Sequence, residues 1–176
     1  MTDPSPEDSP RFRAIPGGVF DAGADMLVCP VWAVAGGMGP GLAGAFARRY
    51  PGLVAMHSAL VEQRRLRVGY PVVVCPGGGE YVPGAGQYVI LFPIKNRWRF
   101  PCQARWVFAG LARLLEARDV GQVGVHGDII RLAVPLLGCG PGGLDPAMIA
   151  RLIETWAFCL PDRYRVTLCL DTGADL

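Results

Sequence analysis

The sequence is poor in the residues that build metal and redox sites. It has only two histidines, and its six cysteines show no CxxC or CxxH spacing. Structural zinc sites need such closely spaced ligands, and disulfides need an oxidising compartment. We therefore predict no metal, no cofactor, and reduced cysteines that mostly serve as small core residues. The six cysteines are Cys29, Cys75, Cys102, Cys139, Cys159 and Cys169.

The sequence also lacks a membrane-spanning run and a strong net charge. No stretch of about 18 apolar residues occurs, and residues 1–10 are acidic and rich in proline and serine, unlike a signal peptide. The formal net charge of +2 is too small for nucleic-acid binding through bulk electrostatics, although a local arginine cluster can still contact phosphate. We expect a cytoplasmic monomer with no membrane partner.

The remaining composition is sufficient for one domain, because 51% of the residues are hydrophobic and 18% are charged. We expect a disordered or extended leader over residues 1–11 and a single domain over residues 12–176. Strands that alternate with helices predict an α/β sheet covered by helices on both sides. Apolar runs predict strands at residues 12–15, 26–31, 71–75, 87–92, 132–136 and 164–170. Helical spacing predicts helices at residues 42–49, 53–67 and 103–118, and from residue 146 onward.

Two glycine-rich loops, AGGMGPG at residues 35–41 and GCGPGGL at 138–144, each lie between a predicted strand and a predicted helix. Glycines let backbone N–H groups approach a diphosphate, and the following helix adds its positive end. Two such loops can clamp one anion at the carboxyl edge of the sheet. Neither matches GxxxxGK[ST] or the dinucleotide fingerprint, so plain tight turns stay an open alternative. The predicted ligand contacts are Gly37, Met38, Gly39, Gly41, Leu42, Gly138, Cys139, Gly140, Pro141, Gly142, Gly143 and Leu144.

Lys95 is the only lysine among 17 basic residues. A buried lysine can lose its proton and act as a nucleophile or a base, which arginine cannot do. Lys95 follows a predicted buried strand and precedes Arg97, Trp98 and Arg99. In that cluster the indole can stack on a base and the guanidinium groups can bind phosphate. A solvated loop that carries a chance lysine is the alternative.

Three segments resemble macrodomains: GMGPGLA at residues 37–43, FPIKNRWR at 92–99 and VPLLGCGPGGLD at 134–145. Their order and spacing cover roughly residues 12–170. The sequence is most similar to the branch that contains terminal ADP-ribose glycohydrolases and the antitoxin macrodomains that remove ADP-ribose from thymidine in DNA. The resemblance implies a three-layer α/β/α fold with a mixed, mostly parallel sheet. It also implies ADP-ribose or an ADP-ribosylated substrate as ligand, DNA as a candidate partner, and a catalytic lysine at Lys95.

The sequence departs from the macrodomain pattern at several places. Protein-directed members of the branch carry an aspartate where this chain has Gly142, so the match favours the DNA-directed antitoxins. The usual Gly-Asp-Ile, whose acid binds adenine, is replaced by a stretch with Gly18 and no carboxylate. Cys29 and Trp32 stand where two asparagines orient the distal ribose, and Trp32 can fill the pocket or stack on a base. We predict an ADP-ribosyl hydrolase for modified DNA or protein, with a non-catalytic ADP-ribose or nucleotide binding module as the alternative.

Overall fold

The computed structural model describes residues 10–39, 41–77, 88–97, 99–116 and 129–171. In that part of the chain, six strands form one sheet, and helices pack on both of its faces. The strands are β1 (Phe12–Ile15), β2 (Met26–Trp32), β3 (Val72–Val74), β4 (Tyr88–Lys95), β5 (Ile130–Pro135) and β6 (Tyr164–Cys169). The helices are α1 (Leu42–Arg49), α2 (Gly52–Glu62), α3 (Ala104–Glu116) and α4 (Pro146–Cys159), with a short 3-10 helix at Val19–Asp21.

The strands follow the order β1-β6-β5-β2-β4-β3, and every pair is parallel except β3 with β4. The central strands β2 (MLVCPVW) and β4 (YVILFPIK) are apolar almost throughout, because helices cover them on both faces. All parallel strands end at one edge of the sheet, where ligands bind in open α/β folds. The predicted mixed, mostly parallel α/β sheet is confirmed.

Each face of the sheet has its own hydrophobic core. Ile90 and Phe92 of β4 pack into the core under α3 and α4. Val89 and Leu91 pack into the core under α1 and α2, because successive side chains of a strand point to opposite faces. The molecule therefore has three layers, α/β/α. Within the described residues, no helix has the length and apolar character needed to cross a bilayer.

A buried carboxylate connects β2 to β5 at the opposite edge from the strand ends. Asp25 is fully buried and accepts a hydrogen bond from the backbone N–H of Arg131 at 2.8 Å. Its Oδ2 also lies 3.5 Å from Nη1 of Arg131. Because a buried charge is costly without partners, this pair favours the observed alignment of the two strands.

The second helix is shorter than predicted. We expected it over residues 53–67, but α2 ends at Glu62, and Arg64 adopts a positive φ of 57°. Helical spacing in the sequence places Leu53, Met56, Leu60 and Val61 on the buried face, but Met56 is 36% exposed while His57 is buried. The residues after Glu62 continue the helical spacing in the sequence. In the structure, however, the chain turns there, so that Leu66 enters the core.

Two other boundaries differ from the sequence-based prediction. β4 continues to Lys95, three residues beyond the predicted end at residue 92. Helical spacing in the sequence places Leu115 on the buried face of α3, but Leu115 is 40% exposed. Residues 1–9 of the predicted leader lie outside the described residues. Arg11, near the end of that range, already forms an ion pair with Asp162 at 2.9 Å.

Gly110 allows α3 to lie close against β4. A Cβ atom at Gly110 would lie 2.3 Å from Cζ of Phe92, which is fully buried. We expect Gly110→Ala to lower the free energy of unfolding by about 2 kcal/mol, because overpacking outweighs the better helix propensity of alanine. Urea unfolding measures this change. In a Phe92→Leu background the same substitution should cost less, and an equal cost in both backgrounds would contradict the proposed contact.

Candidate active site

The carboxyl ends of β2, β4 and β5 open on a cavity of about 350 Å³. This volume lies within the range of about 300–1,000 Å³ that is usual for small-molecule sites. Both glycine-rich loops contribute to its wall, together with Lys95. The lining residues are Pro30, Trp32, Gly37, Gly39, Gly41, Leu42, Ala43, Ile94, Lys95, Pro135, Leu136, Gly138, Gly140, Pro141 and Gly142.

The first loop is held by its own backbone. Gly37 donates to the carbonyl of Val34 at 2.9 Å, and its own carbonyl accepts from the N–H of Trp32 at 3.1 Å. A Cβ at Gly37 would lie 2.3 Å from the carbonyl oxygen of Trp32, so only glycine fits. Gly41 has a φ of 78° and precedes α1, whose first residues, Leu42 and Ala43, line the cavity. The positive end of this helix therefore faces the cavity.

The second loop folds into a compact turn. Leu144 donates to the carbonyl of Gly138 at 3.0 Å, and Cys102 donates to the carbonyl of Gly142 at 2.9 Å. A Cβ at Gly142 would lie 2.2 Å from the carbonyl oxygen of Gly138. No side chain, aspartate included, therefore fits at Gly142 unless the loop moves.

Lys95 joins the end of β4 to the second loop. Its side chain is 2% exposed, and Nζ donates to the carbonyl oxygen of Pro141 at 2.9 Å. Its backbone carbonyl accepts from Ala33 at 2.8 Å, which continues the contact between β2 and β4. Among the described residues no carboxylate lies within ion-pair distance of its amine. The amine is thus held by a neutral acceptor beside the cavity.

Trp32 lies next to Lys95, since the two residues are partners in the β2–β4 register. Its ring runs along the first loop, where a Cβ at Gly39 would lie 3.7 Å from Cη2 of the indole. The buried His57 lies with Nε2 at 2.9 Å from the carbonyl oxygen of Trp32, which can only accept, so Nε2 carries the proton. Sequence analysis missed His57, although it falls on the same helical face as Leu53.

Not every predicted contact lines the cavity. Met38, Cys139 and Leu144 pack against the two cores instead, and Gly143 is exposed with a φ of 75°. Arg97 and Arg99 are exposed and lie outside the cavity wall, and Trp98 is outside the described residues. Five lining residues were missed because apolar residues at strand and helix ends look like core in a sequence. They are Pro30, Ala43, Ile94, Pro135 and Leu136.

The cysteines near the cavity are uncharged at neutral pH. Burial raises the pKa of the Cys102 thiol to about 11, although the charge of Lys95 acts in the opposite direction. Burial and the charge of Asp145 raise the pKa of Cys139 to about 11. Because the thiolate is the nucleophile, neither residue is suited to nucleophilic catalysis.

Neither Cys29 nor the glycine turn at residues 17–18 reaches the cavity. All six cysteines are free; Cys29 is fully buried in the core, and its burial raises its pKa well above the usual value. At the turn without its own acid, the carboxylate of Asp21 accepts from the N–H of Gly18 at 3.2 Å. Residues 17–18 do not line the cavity.

Comparisons with known proteins agree with this architecture, although no protein-family model matches the chain. A DNA ADP-ribosyl glycohydrolase of Mycobacterium tuberculosis is 33% identical over 147 residues, which is 83% of this chain and 38% of that protein. The macrodomain of Mycobacterium tuberculosis DarG is 28% identical with a TM-score of 0.76, and the match covers 91% of this chain and 98% of that one. Thermosipho africanus DarTG in complex with ADP-ribose has a TM-score of 0.74 at 23% identity, over 90% of this chain and 42% of that one.

The mixed sheet between two helical layers has the same fold as the DarG macrodomains. The chain belongs to the macrodomain superfamily, and within it to the branch of the DarG macrodomains. It spans only about 38% of the length of the curated relatives that it matches.

The second loop offers a matched pair of substitutions. We expect Gly142→Ala to displace the loop, because its Cβ would overlap the carbonyl of Gly138, whereas a Cβ at Gly140 meets nothing within 4 Å. Gly142→Ala should therefore lower the melting temperature and weaken ADP-ribose binding at least tenfold, or about 1.4 kcal/mol. Gly140→Ala should leave the melting temperature unchanged. Equal thermal stability of the two variants in a calorimetric scan would show that the loop is not constrained as described.

Proposed function

We propose that this chain is an ADP-ribosyl hydrolase that removes ADP-ribose from modified DNA. The observation that carries this proposal is a buried amine, that of Lys95, held beside a cavity whose wall is built from two glycine-rich loops. Two comparisons support it: the mycobacterial relative is a DNA ADP-ribosyl glycohydrolase, and Thermosipho africanus DarTG forms a complex with ADP-ribose. ADP-ribosylated protein is the second substrate class to be tested.

The two loops would bind the diphosphate through their backbone. The first loop offers the amides around Gly39 and the positive end of α1, and the second offers those around Gly140. Met38 would contribute its backbone N–H only, because its side chain packs toward the core. The N–H groups of Cys139 and Leu144 already donate to the carbonyls of Leu136 and Gly138. Main-chain amides suit this task because they do not have to break a hydrogen bond to a side chain before they bind the anion.

Lys95 would assist cleavage at C1 of the distal ribose in one of two ways. As an ammonium it donates a proton to the departing base while water adds to C1. As a neutral amine it attacks C1 and releases the base, and water then hydrolyses the bond between enzyme and sugar. In both routes the bond from C1 to the base nitrogen breaks. The hydrogen bond to Pro141 positions the amine for this step without a carboxylate.

Replacement of Lys95 tests the catalytic role. We expect Lys95→Ala to lower turnover of an ADP-ribosylated oligonucleotide by about 100-fold or more, the usual contribution of a general acid or base. The dissociation constant for free ADP-ribose should change only a few-fold in calorimetric titration. Lys95→Arg is the matched control, since it keeps the charge but cannot release its proton. Unchanged turnover in Lys95→Ala, or full rescue by arginine, would remove the proposed role, and an ADP-ribosylated protein assayed in parallel compares the two substrate classes.

A second candidate is a binding module that holds ADP-ribose or another nucleotide without cleaving it. Trp32 favours this alternative, because an indole lines the cavity beside Lys95 where other macrodomains carry an asparagine. Cys29, at the other asparagine position, is buried in the core and offers the ribose no contact. Under the hydrolase proposal the indole would instead stack on the modified base, and Arg97 and Arg99 would contact the substrate outside the cavity. A contact between Trp98 and a base stays a prediction from the sequence.

Substitution of Trp32 separates the two candidates. If the indole stacks on the base, Trp32→Asn should weaken binding of the modified oligonucleotide about tenfold, since stacking contributes about 1–3 kcal/mol. Affinity for free ADP-ribose should be nearly unchanged, and Trp32→Phe should retain most of the affinity. Turnover that appears in Trp32→Asn and is absent from the wild-type chain would show that the indole prevents cleavage and would favour the binding module.

A further inference from the structure

An arginine-rich surface lies outside the cavity and has no role in the proposed reaction. Residues 63–70 and 104–115 contain five arginines and no aspartate or glutamate, although the whole chain carries a net charge of only +2. Positive charge is therefore concentrated on this part of the molecule. We define the arginine–aromatic surface as Arg67, Tyr70, Arg105, Trp106 and Arg113.

The loop after α2 and the helix α3 form this surface together. The Cζ atoms of Arg113 and Arg67 lie 3.6 and 4.4 Å from the ring centroid of Tyr70. The N–H of Tyr70 donates to the carbonyl of Arg67 at 2.8 Å. A Cβ at Gly69 would lie 3.1 Å from the Cβ of Ala109, so the loop packs directly on the helix. Two separate parts of the chain thus place their arginines on one aromatic ring.

These arginines are available to an anion. Arg67, Arg105 and Arg113 are exposed, and none of them forms an ion pair with another described residue. Stacking on an aromatic ring orients a guanidinium group and leaves its N–H edge free to donate. Because the group is already positioned, it loses less side-chain entropy when it binds phosphate.

One end of the arginine–aromatic surface lies toward the edge of the sheet that carries the cavity. β3 is antiparallel to β4, and Val72 pairs with Leu91, so Tyr70 lies toward the end of β4 that carries Lys95. α3 begins at Ala104, shortly after Lys95. A cavity of about 350 Å³ encloses a small ligand, so the rest of a modified strand must lie on the outer surface near this end.

We propose that the arginine–aromatic surface binds the phosphodiester backbone of the single strand that flanks the modified nucleotide. This inference rests on the proposed function. The guanidinium fork matches phosphate geometry. The aromatic residues favour a nucleic acid over an acidic protein, because Tyr70 is 36% exposed and Trp106 is partly exposed, and bases stack on such rings.

The test uses the full chain and a fluorescent, unmodified oligothymidylate of about 12 nucleotides, a usual site size for single-strand binders. The Arg67→Ala/Arg113→Ala double variant should bind it about tenfold more weakly. The slope of log K against log salt should become shallower by about 1.4, or about 0.7 for each lost phosphate contact. Arg105→Ala, a single change on the helix surface, should reduce the slope by about 0.7 and provides an independent variant. Binding of free ADP-ribose should stay unchanged in all of them.

Arg49→Ala is the matched control, because Arg49 is also exposed and stacks on an aromatic ring, that of Phe20 at 5.2 Å, but belongs to α1, which packs on the face of the sheet opposite α3. Wild-type affinity and salt slope in the Arg67→Ala/Arg113→Ala double variant and in Arg105→Ala would overturn the proposal. A polyglutamate peptide that competes as well as the oligonucleotide would assign the surface to an acidic protein and would also overturn it. Turnover is scored separately: a wild-type chain that binds the oligonucleotide through these arginines but cleaves no ADP-ribose would refute the hydrolase and leave the surface supported.

Discussion

The hydrogen bond from Nζ of Lys95 to the carbonyl oxygen of Pro141 is the contact on which the arrangement of the site depends. It connects the end of the central strand β4 to the second glycine loop and gives a buried amine an acceptor without neutralising it. A buried cation is costly unless it is hydrogen-bonded, so the strand end and the loop constrain one another. The same bond places the amine beside the cavity.

Backbone contacts supply the rest of this support. His57 holds the carbonyl of Trp32, Ala33 donates to the carbonyl of Lys95, and Cys102 donates to that of Gly142. Glycine is required at Gly37 and Gly142, because a Cβ atom at either position would overlap the carbonyl oxygen of another residue. The cavity wall therefore consists of main-chain groups and apolar side chains around a single amine. Under the proposed function, such a wall would bind an anionic ligand through its amides, with Lys95 as the lining residue that carries an amine.

Local signals in the sequence predicted the parts of the fold that depend on local pattern. Uninterrupted apolar runs predicted the buried strands, glycine clusters predicted both loops, and the scarcity of lysine drew attention to Lys95. Features that depend on register were not predictable: Pro135 resembles core in a sequence, and the direction of Trp32 follows from its pairing with β4. The early end of α2 was missed for a related reason, since only the turn at Arg64 and the packing of Leu66 stop a segment that is otherwise suited to a helix.

The most direct measurement is a crystal structure of the chain soaked with ADP-ribose. The account predicts that the diphosphate accepts hydrogen bonds from the backbone amides around Gly39 and Gly140, and that Nζ of Lys95 lies near C1 of the distal ribose. A ligand bound elsewhere on the molecule, or a distal ribose excluded from Lys95 by the indole of Trp32, would contradict it.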